Sequence, residues 1–342
     1  MINKNTSLFI IFIILFFWFL VFYLNNSNST QQSNQFIFSG NTMGTTYEIK
    51  IDHKISLDAQ KILEKGIDSL LNHINQSMST YIPDSEISLI NKFDGASIIV
   101  SDSFNEVLSA AIYYNNISEG AFDVTVKPLL ELWGFRGSYI SERPEKVEVE
   151  KVMKYVGFDK FSYNSDSRIL IKNNSKVQFD FGAIAKGYAV DQISLYFENL
   201  GYDKHYVEIG GEIVCKGKEW YIGIAYPEVG SDKNYKSITL FNHAVATSGT
   251  YNQSFKIDNF EYSHIFDSRI GEPSKNNIIS VTVISDKCIN SDALATSLKV
   301  LGKEKGLQLI NSIKNVECMF ILKEEEKLKN YYSQNFSDFF TN

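Results

Sequence analysis

Residues 180–191 read D-F-G-A-I-A-K-G-Y-A-V-D. Gly182, lacking a Cβ, lets the backbone approach a ligand closely. Asp180 begins a turn that enters a helix after Ala183. Apolar spacing carries the helix from Ile184 to Leu200, with Gly201 as its C-cap residue. The N-terminus of such a helix favours an anion. Lys186 falls in its first turn, where a cation opposes the helix dipole; a bound phosphate accounts for that position better than stability does. Asp191, further along, can cap or pair.

On the N-terminal side of this segment the pattern is mainly helical. Leu57 to Met78 places Ile62, Leu63, Ile67, Leu70, Leu71 and Ile74 at helical spacing. Ser103 with Glu106 predicts a capping box for a helix that turns Phe104, Val107, Leu108, Ala111 and Ile112 inward, with Gly120 beyond its end. Phe36 to Asp52 alternates like a strand. On the C-terminal side short β-rich runs dominate: His205–Ile209, Trp220–Tyr226, Ile238–Phe241, Ala244–Ser248 and Ile278–Ser285. A helix from Asp292 to Leu301 and a strand near Cys318–Leu322 follow. Helices early and strands late predict an α+β fold with mixed sheets flanked by helices.

Leu8 to Leu24 is an uncharged apolar run of 17 residues without Pro or Gly. At ~1.5 Å per residue it spans about 25 Å, close to a thin hydrocarbon core of roughly 27–30 Å. Lys4 and the amino terminus are the charges before it, and the next lysine is Lys50. The positive-inside bias then puts the N-terminus in the cytoplasm and the remainder outside. Residues 1–24 are expected to be one transmembrane anchor. A cleaved signal sequence competes with that reading, although Asn25-Asn26-Ser27-Asn28 follows with no A-x-A site. Residues 25–34 read as a polar tether and 35–342 as the globular domain. With 44% hydrophobic and 21% charged residues, bulk disorder is excluded. A net charge of −7 argues against nucleic acid as a partner. Cys215, Cys288 and Cys318 fit no zinc or C-x-x-C spacing and read as buried apolar residues.

Several other segments are dense in Gly, small hydroxyl residues and single acids: G-N-T-M-G-T-T-Y at 40–47, M-S-T-Y-I-P-D-S-E at 78–86, G-A-F-D-V-T at 120–125, E-I-G-G-E at 208–212, A-T-S-G-T at 246–250, H-I-F-D-S-R at 264–269 and N-S-D-A-L-A-T at 290–296. Taken in order with residues 180–191, they resemble the ApbE family of FAD:protein FMN transferases, from about Gly40 to Leu301. The resemblance implies an ApbE-like fold and Mg²⁺-dependent transfer of FMN from FAD to a threonine hydroxyl of another protein, with AMP released. It implies membrane redox subunits carrying an S/T-G-A-T-type motif as acceptors. No such motif occurs in this chain, so self-modification is not predicted. With the anchor, the expected location is the bacterial inner membrane, catalytic domain on the periplasmic side.

Asp292 and Thr296 lie four apart and share a helix face. Alone they read as an acid at a helix start and a buried threonine bonding back to its helix; a carboxylate, a hydroxyl and a carbonyl also suit Mg²⁺. By resemblance, Asp292, Thr296 and the Ala183 carbonyl are the metal ligands. Met43, Tyr81, Ala121, Phe122, Asp123, Asp180, Lys186 and Ile265 are FAD contacts. His264 suits a general base, its ordinary pKa of ~6.5 lying near working pH, and equally a structural histidine; by resemblance it acts on the hydroxyl, with Lys186 on the phosphates. Ser268 replaces the family's usual Pro and Ile270 its usual Thr, which predicts a looser turn beside His264. Glu208 and Glu212 flank Gly210-Gly211 without an assigned role. Two alternatives use the same residues: a metal-dependent FAD pyrophosphatase giving FMN and AMP, and a tethered flavin-binding protein without activity.

Overall fold

The main sheet contains eight strands, and their order across it follows the chain. They are β1 (Gln35–Thr42), β2 (Thr45–Asp52), β3 (His205–Ile209), β4 (Glu212–Cys215), β5 (His243–Gly249), β6 (Ile278–Ser285), β7 (Glu317–Glu324) and β8 (Lys327–Tyr332). Every neighbouring pair is antiparallel. The α+β expectation is met by helices layered on a sheet, and strand direction within that sheet is not mixed. The computed structural model describes residues 35–341 except 138, 139, 229, 232, 251–253, 258, 259 and 326. The anchor and tether expected at residues 1–34 lie outside the described residues, among which no helix is long and apolar enough to cross a membrane.

Strand alternation divides the side chains between two cores. Val214, Ala244, Val281, Val283, Cys318 and Phe320 face helices α1 (Leu57–Met78), α2 (Asp102–Ile117), α3 (Ala185–Asn199) and α4 (Cys288–Leu301). The intervening Ile213, Cys215, Val245, Ile284, Met319 and Ile321 face the opposite way. A hairpin of Trp220–Ala225 with Asn234–Leu240 and the C-terminal Phe336 cover them. All three cysteines are buried, as expected of apolar residues, and free. A third, smaller core joins Leu129, Trp133 and Val149 to Ile257, Tyr262 and Phe266. The short helices Lys127–Leu132 and Lys146–Met153 that carry part of it show no periodicity long enough to predict.

Two helix starts differ from the sequence expectation. The cap of α2 is Ser101, whose Oγ accepts from Phe104 N; Ser103 instead meets His73. Ser101 is favoured because Glu86 holds both its N–H, at 2.6 Å, and its hydroxyl. Helix α4 starts at Cys288, earlier than Asp292, because its cap comes from another helix. Asp191 on α3 accepts from Cys288 N at 2.8 Å and Ile289 N at 2.9 Å. Burial pushes this carboxyl up to about 6 against those two bonds.

Lys299, on α4, is fully buried, its Nζ donating to Asn276 Oδ1 at 2.8 Å. Burial pushes its pKa down to about 8. A depressed lysine pKa means the unfolded chain binds the extra proton between about 8 and the ordinary 10.5, so stability should rise with pH across that window. At pH 7 the buried ammonium costs about 2–3 kcal/mol. Lys299→Met is expected to raise Tm at pH 7 by several degrees and to flatten stability between pH 8 and 10, read by thermal unfolding.

Candidate active site

Glu212 sits on β4 two residues before Val214, so its side chain points to the helix face, towards the first turn of α3. There its Oε1 lies 3.1 Å from Lys186 Nζ, and Asp292 Oδ1 lies 4.0 Å from the same ammonium. Lys186 is therefore not a surface lysine. Burial works against its charge, but the carboxylates of Asp292 and Glu212 win and raise its pKa. Burial, and then Asp292, push the Glu212 pKa up, and the Lys186 ammonium 3.1 Å away opposes them; as an ion pair the two hold each other charged. Glu212 Oε2 is buried without a hydrogen-bond partner.

Asp292 is fixed through its other oxygen, which accepts from Gly187 N at 2.9 Å. A Cβ on Gly187 would come within 2.5 Å of the Cys288 carbonyl and 2.8 Å of Asp292 Cβ, so only glycine lets α3 and α4 meet here. Thr296, one turn on, meets Ser248 of β5, Oγ to Oγ 3.1 Å. The sequence thus brings Asp292 and Thr296 to one helix face and sets Asp292 against the helix start that follows Ala183. Oδ1 of Asp292, the Thr296 hydroxyl and the half-exposed Ala183 are oxygen donors of the kind Mg²⁺ takes, with no soft ligand among them. No group of three or more His, Cys, Asp or Glu among the described residues offers another metal site.

Arg136 links two of the expected FAD contacts. Its Nε donates to Asp180 Oδ2 at 3.0 Å, and its guanidinium lies 5.3 Å from the centre of the Tyr81 ring. Asp180 Oδ1 accepts from Gly182 N at 2.8 Å, which shapes the turn into α3. Tyr81 is 75% exposed, so the ring face away from Arg136 is open to a flat ring. Sequence reasoning missed Arg136; it had no spacing signal.

Met43 lies at the tip of the β1–β2 hairpin. It has φ 51° and Gly44 has φ 76°, as a type I′ turn requires. Gly is at ease there and Met is not. Gly210 N donates to Thr46 O at 3.1 Å, so the Gly210-Gly211 turn before Glu212 lies beside this hairpin. Met43→Asn, which restores the favoured Asn-Gly turn, is expected to raise unfolding stability by ~1 kcal/mol. It should also weaken FAD binding ~5–10-fold, measured by thermal unfolding and flavin titration.

Residues 120–123 and 264–269 are tied together. Ala121 and Ile265 share a small buried cluster with Val300 of α4. Ser268 Oγ donates to the Gly120 carbonyl at 3.2 Å, and Gly271 N closes the turn on Asp267 O at 2.9 Å. The looser turn expected without proline is not found, because the buried Ser268 hydroxyl pins the loop in its place. Asp123 Oδ1 accepts both N–H and Oγ of Thr125, at 2.7 and 2.6 Å, while burial pushes its pKa up. Phe122 is a core residue packed on Tyr114, its backbone held by Ser118 and Asn115. It supports Ala121 and Asp123 from behind. The half-buried His264 ring lies beside Phe135, centroids 6.5 Å apart.

The sequence profile of the ApbE family matches residues 43–320. The chain is 36% identical over 315 residues to the FAD:protein FMN transferase of Vibrio cholerae serotype O1, covering 89% of this chain and 92% of that protein. It is 27% identical over 314 residues to the FAD:protein FMN transferase of Escherichia coli K12, covering 89% and 88%. The fold is similar to the flavin transferase ApbE from Vibrio cholerae, with a TM-score of 0.81 at 36% identity over 89% of this chain and 99% of that one. It is also similar to the apo form of the flavinyl transferase ApbE from Pseudomonas stutzeri, with a TM-score of 0.79 at 31% identity over 90% and 96%.

Proposed function

This chain belongs to the ApbE family and is a transferase; from that premise we propose that it moves FMN from FAD onto a threonine hydroxyl of an acceptor protein, with AMP leaving. The observation that carries the reading is the ammonium of Lys186 and the carboxylate of Asp292 gathered at the start of α3. A helix N-terminus with a fixed cation beside it receives a pyrophosphate. Ala183, Asp292 and Thr296 would hold Mg²⁺, which when bound neutralises charge on phosphate oxygens.

The chain's own residues do the remainder. Tyr81 and Met43 would flank the flat ring system, and Asp123 would accept a hydrogen bond from a hydroxyl or amine edge. Lys186 would neutralise a non-bridging oxygen of the attacked phosphate. His264 would take the proton of the acceptor hydroxyl as its oxygen bonds to the FMN-side phosphorus and the bridging P–O bond to AMP breaks. The loop that carries His264 is held to Gly120 by Ser268, next to residues that would contact FAD.

Acceptors with an S/T-G-A-T-type motif in membrane redox subunits complete this reading, with the enzyme anchored on the periplasmic side of the inner membrane. Anchoring confines both proteins to one surface and raises their effective concentration. Because the described residues from Gln35 onward carry the sheet, its cores and every site residue named above, a chain lacking residues 1–34 is expected to be soluble without detergent and fully active. An insoluble or inactive product would show that the apolar run belongs to the fold.

AMP release measured with and without an acceptor tests the reaction type. Release that depends on the acceptor supports transfer. Equal release without it would make the protein a FAD pyrophosphatase, and tight FAD binding with no AMP a flavin-binding protein.

A further inference from the structure

We propose that Glu212 is a positioning residue of the active site: it holds the Lys186 ammonium off Asp292 and so keeps that carboxylate open to a divalent cation. The inference rests on the reading above that Asp292 is a cation ligand.

Glu212 is 3% exposed, one of its oxygens engaged by Lys186 at 3.1 Å and the other without a hydrogen-bond partner. A buried carboxylate oxygen left unsatisfied is costly, and apolar packing would be the cheaper filling of such a place. Its retention beside Lys186 calls for a task that charge alone performs. Asp292 is the competing anion. Its Oδ2 is committed to Gly187 N, while Oδ1 stands 4.0 Å from Lys186 Nζ, just outside hydrogen-bond reach. The tight α3–α4 contact at Gly187 fixes the backbone of both helices, so what separates Lys186 from Asp292 is the direction of the lysine side chain. Glu212 sets that direction. Without its charge, Asp292 is the remaining carboxylate near the ammonium. At low local dielectric the pair would close. A lysine seated on Asp292 would then compete directly with a cation for the same oxygen.

A merely structural Glu212 would affect folding and leave cation affinity alone, so the test is Mg²⁺ binding to the full-length chain without FAD, read by calorimetry. Glu212→Gln keeps the shape and removes the charge. It is expected to weaken Mg²⁺ binding ~10–100-fold, the usual cost of losing an outer partner of a metal site. Lys186→Met should bind Mg²⁺ at least as tightly as the unchanged chain. The double variant K186M/E212Q should match K186M within about threefold, because the competitor is gone.

Unchanged binding by E212Q would overturn the proposal. So would a double variant as weak as E212Q, since Glu212 would then act on the cation without Lys186. Should E212Q fail to fold, Glu212→Asp, which keeps the charge but draws it back from Lys186, takes its place, and unchanged Mg²⁺ binding by that variant would overturn the proposal. Asp292→Asn binding Mg²⁺ like the unchanged chain would strike the metal reading itself, whatever E212Q does.

Discussion

Replacing Asp292 by alanine is expected to abolish flavin transfer, lowering the rate about 10³-fold or more, while the chain still folds. The size follows from the role: charge neutralisation on phosphate oxygens is worth several kcal/mol, and each 1.4 kcal/mol is tenfold. Folding should suffer much less. The variant leaves Gly187 N without its acceptor, at about 1–2 kcal/mol, and Lys186 keeps its pair with Glu212. Asp292→Asn should restore that bond and its stability without restoring the rate. Transfer rates across a Mg²⁺ titration, beside thermal unfolding of each variant, check both halves. A normal Mg²⁺-dependent rate in Asp292→Ala would remove the metal assignment.

Replacing His264 by alanine is expected to lower kcat ~10²–10⁴-fold, the usual range for a lost general base. FAD affinity should change less than about fivefold. The reason is position. His264 sits on a loop that Ser268 fixes to the Gly120 carbonyl and Ile265 fixes to Ala121, so the residues proposed to contact FAD keep their places without the imidazole. Flavin titration and single-turnover transfer separate the two quantities. A large loss of binding with unchanged kcat would make His264 a contact residue.

Helix α1 was legible because Leu63, Ile67, Leu71 and Ile74 recur on one face over a long run, and all four are buried. Strands β3 and β6 were legible to the residue as short β-rich runs; β3 alternates between buried and half-buried positions, whereas β6 is buried almost throughout. The start of α4 was not, since the cap is Asp191 from a distant part of the chain. Ser101 and Ser103 both suit a cap locally, and Glu86 decides between them from outside the window. The site divides in the same way. The spacing of Asp292 and Thr296 puts them on one helix face, and only the family resemblance marks them as a site. The partner of Lys186 has no such spacing: Glu212 reaches it from the helix face of the sheet, after a glycine turn that only the strand register positions. Ser268 looked like a weakened turn in the sequence because its acceptor, the Gly120 carbonyl, belongs to another loop.

The intact mass of an acceptor domain bearing an S-G-A-T motif, after incubation with the enzyme, FAD and Mg²⁺, tests the central claim most directly. The expected result is a gain of one FMN less one water, absent with EDTA and absent with the acceptor threonine changed to alanine. An acceptor of unchanged mass in a reaction that consumes FAD would contradict transfer.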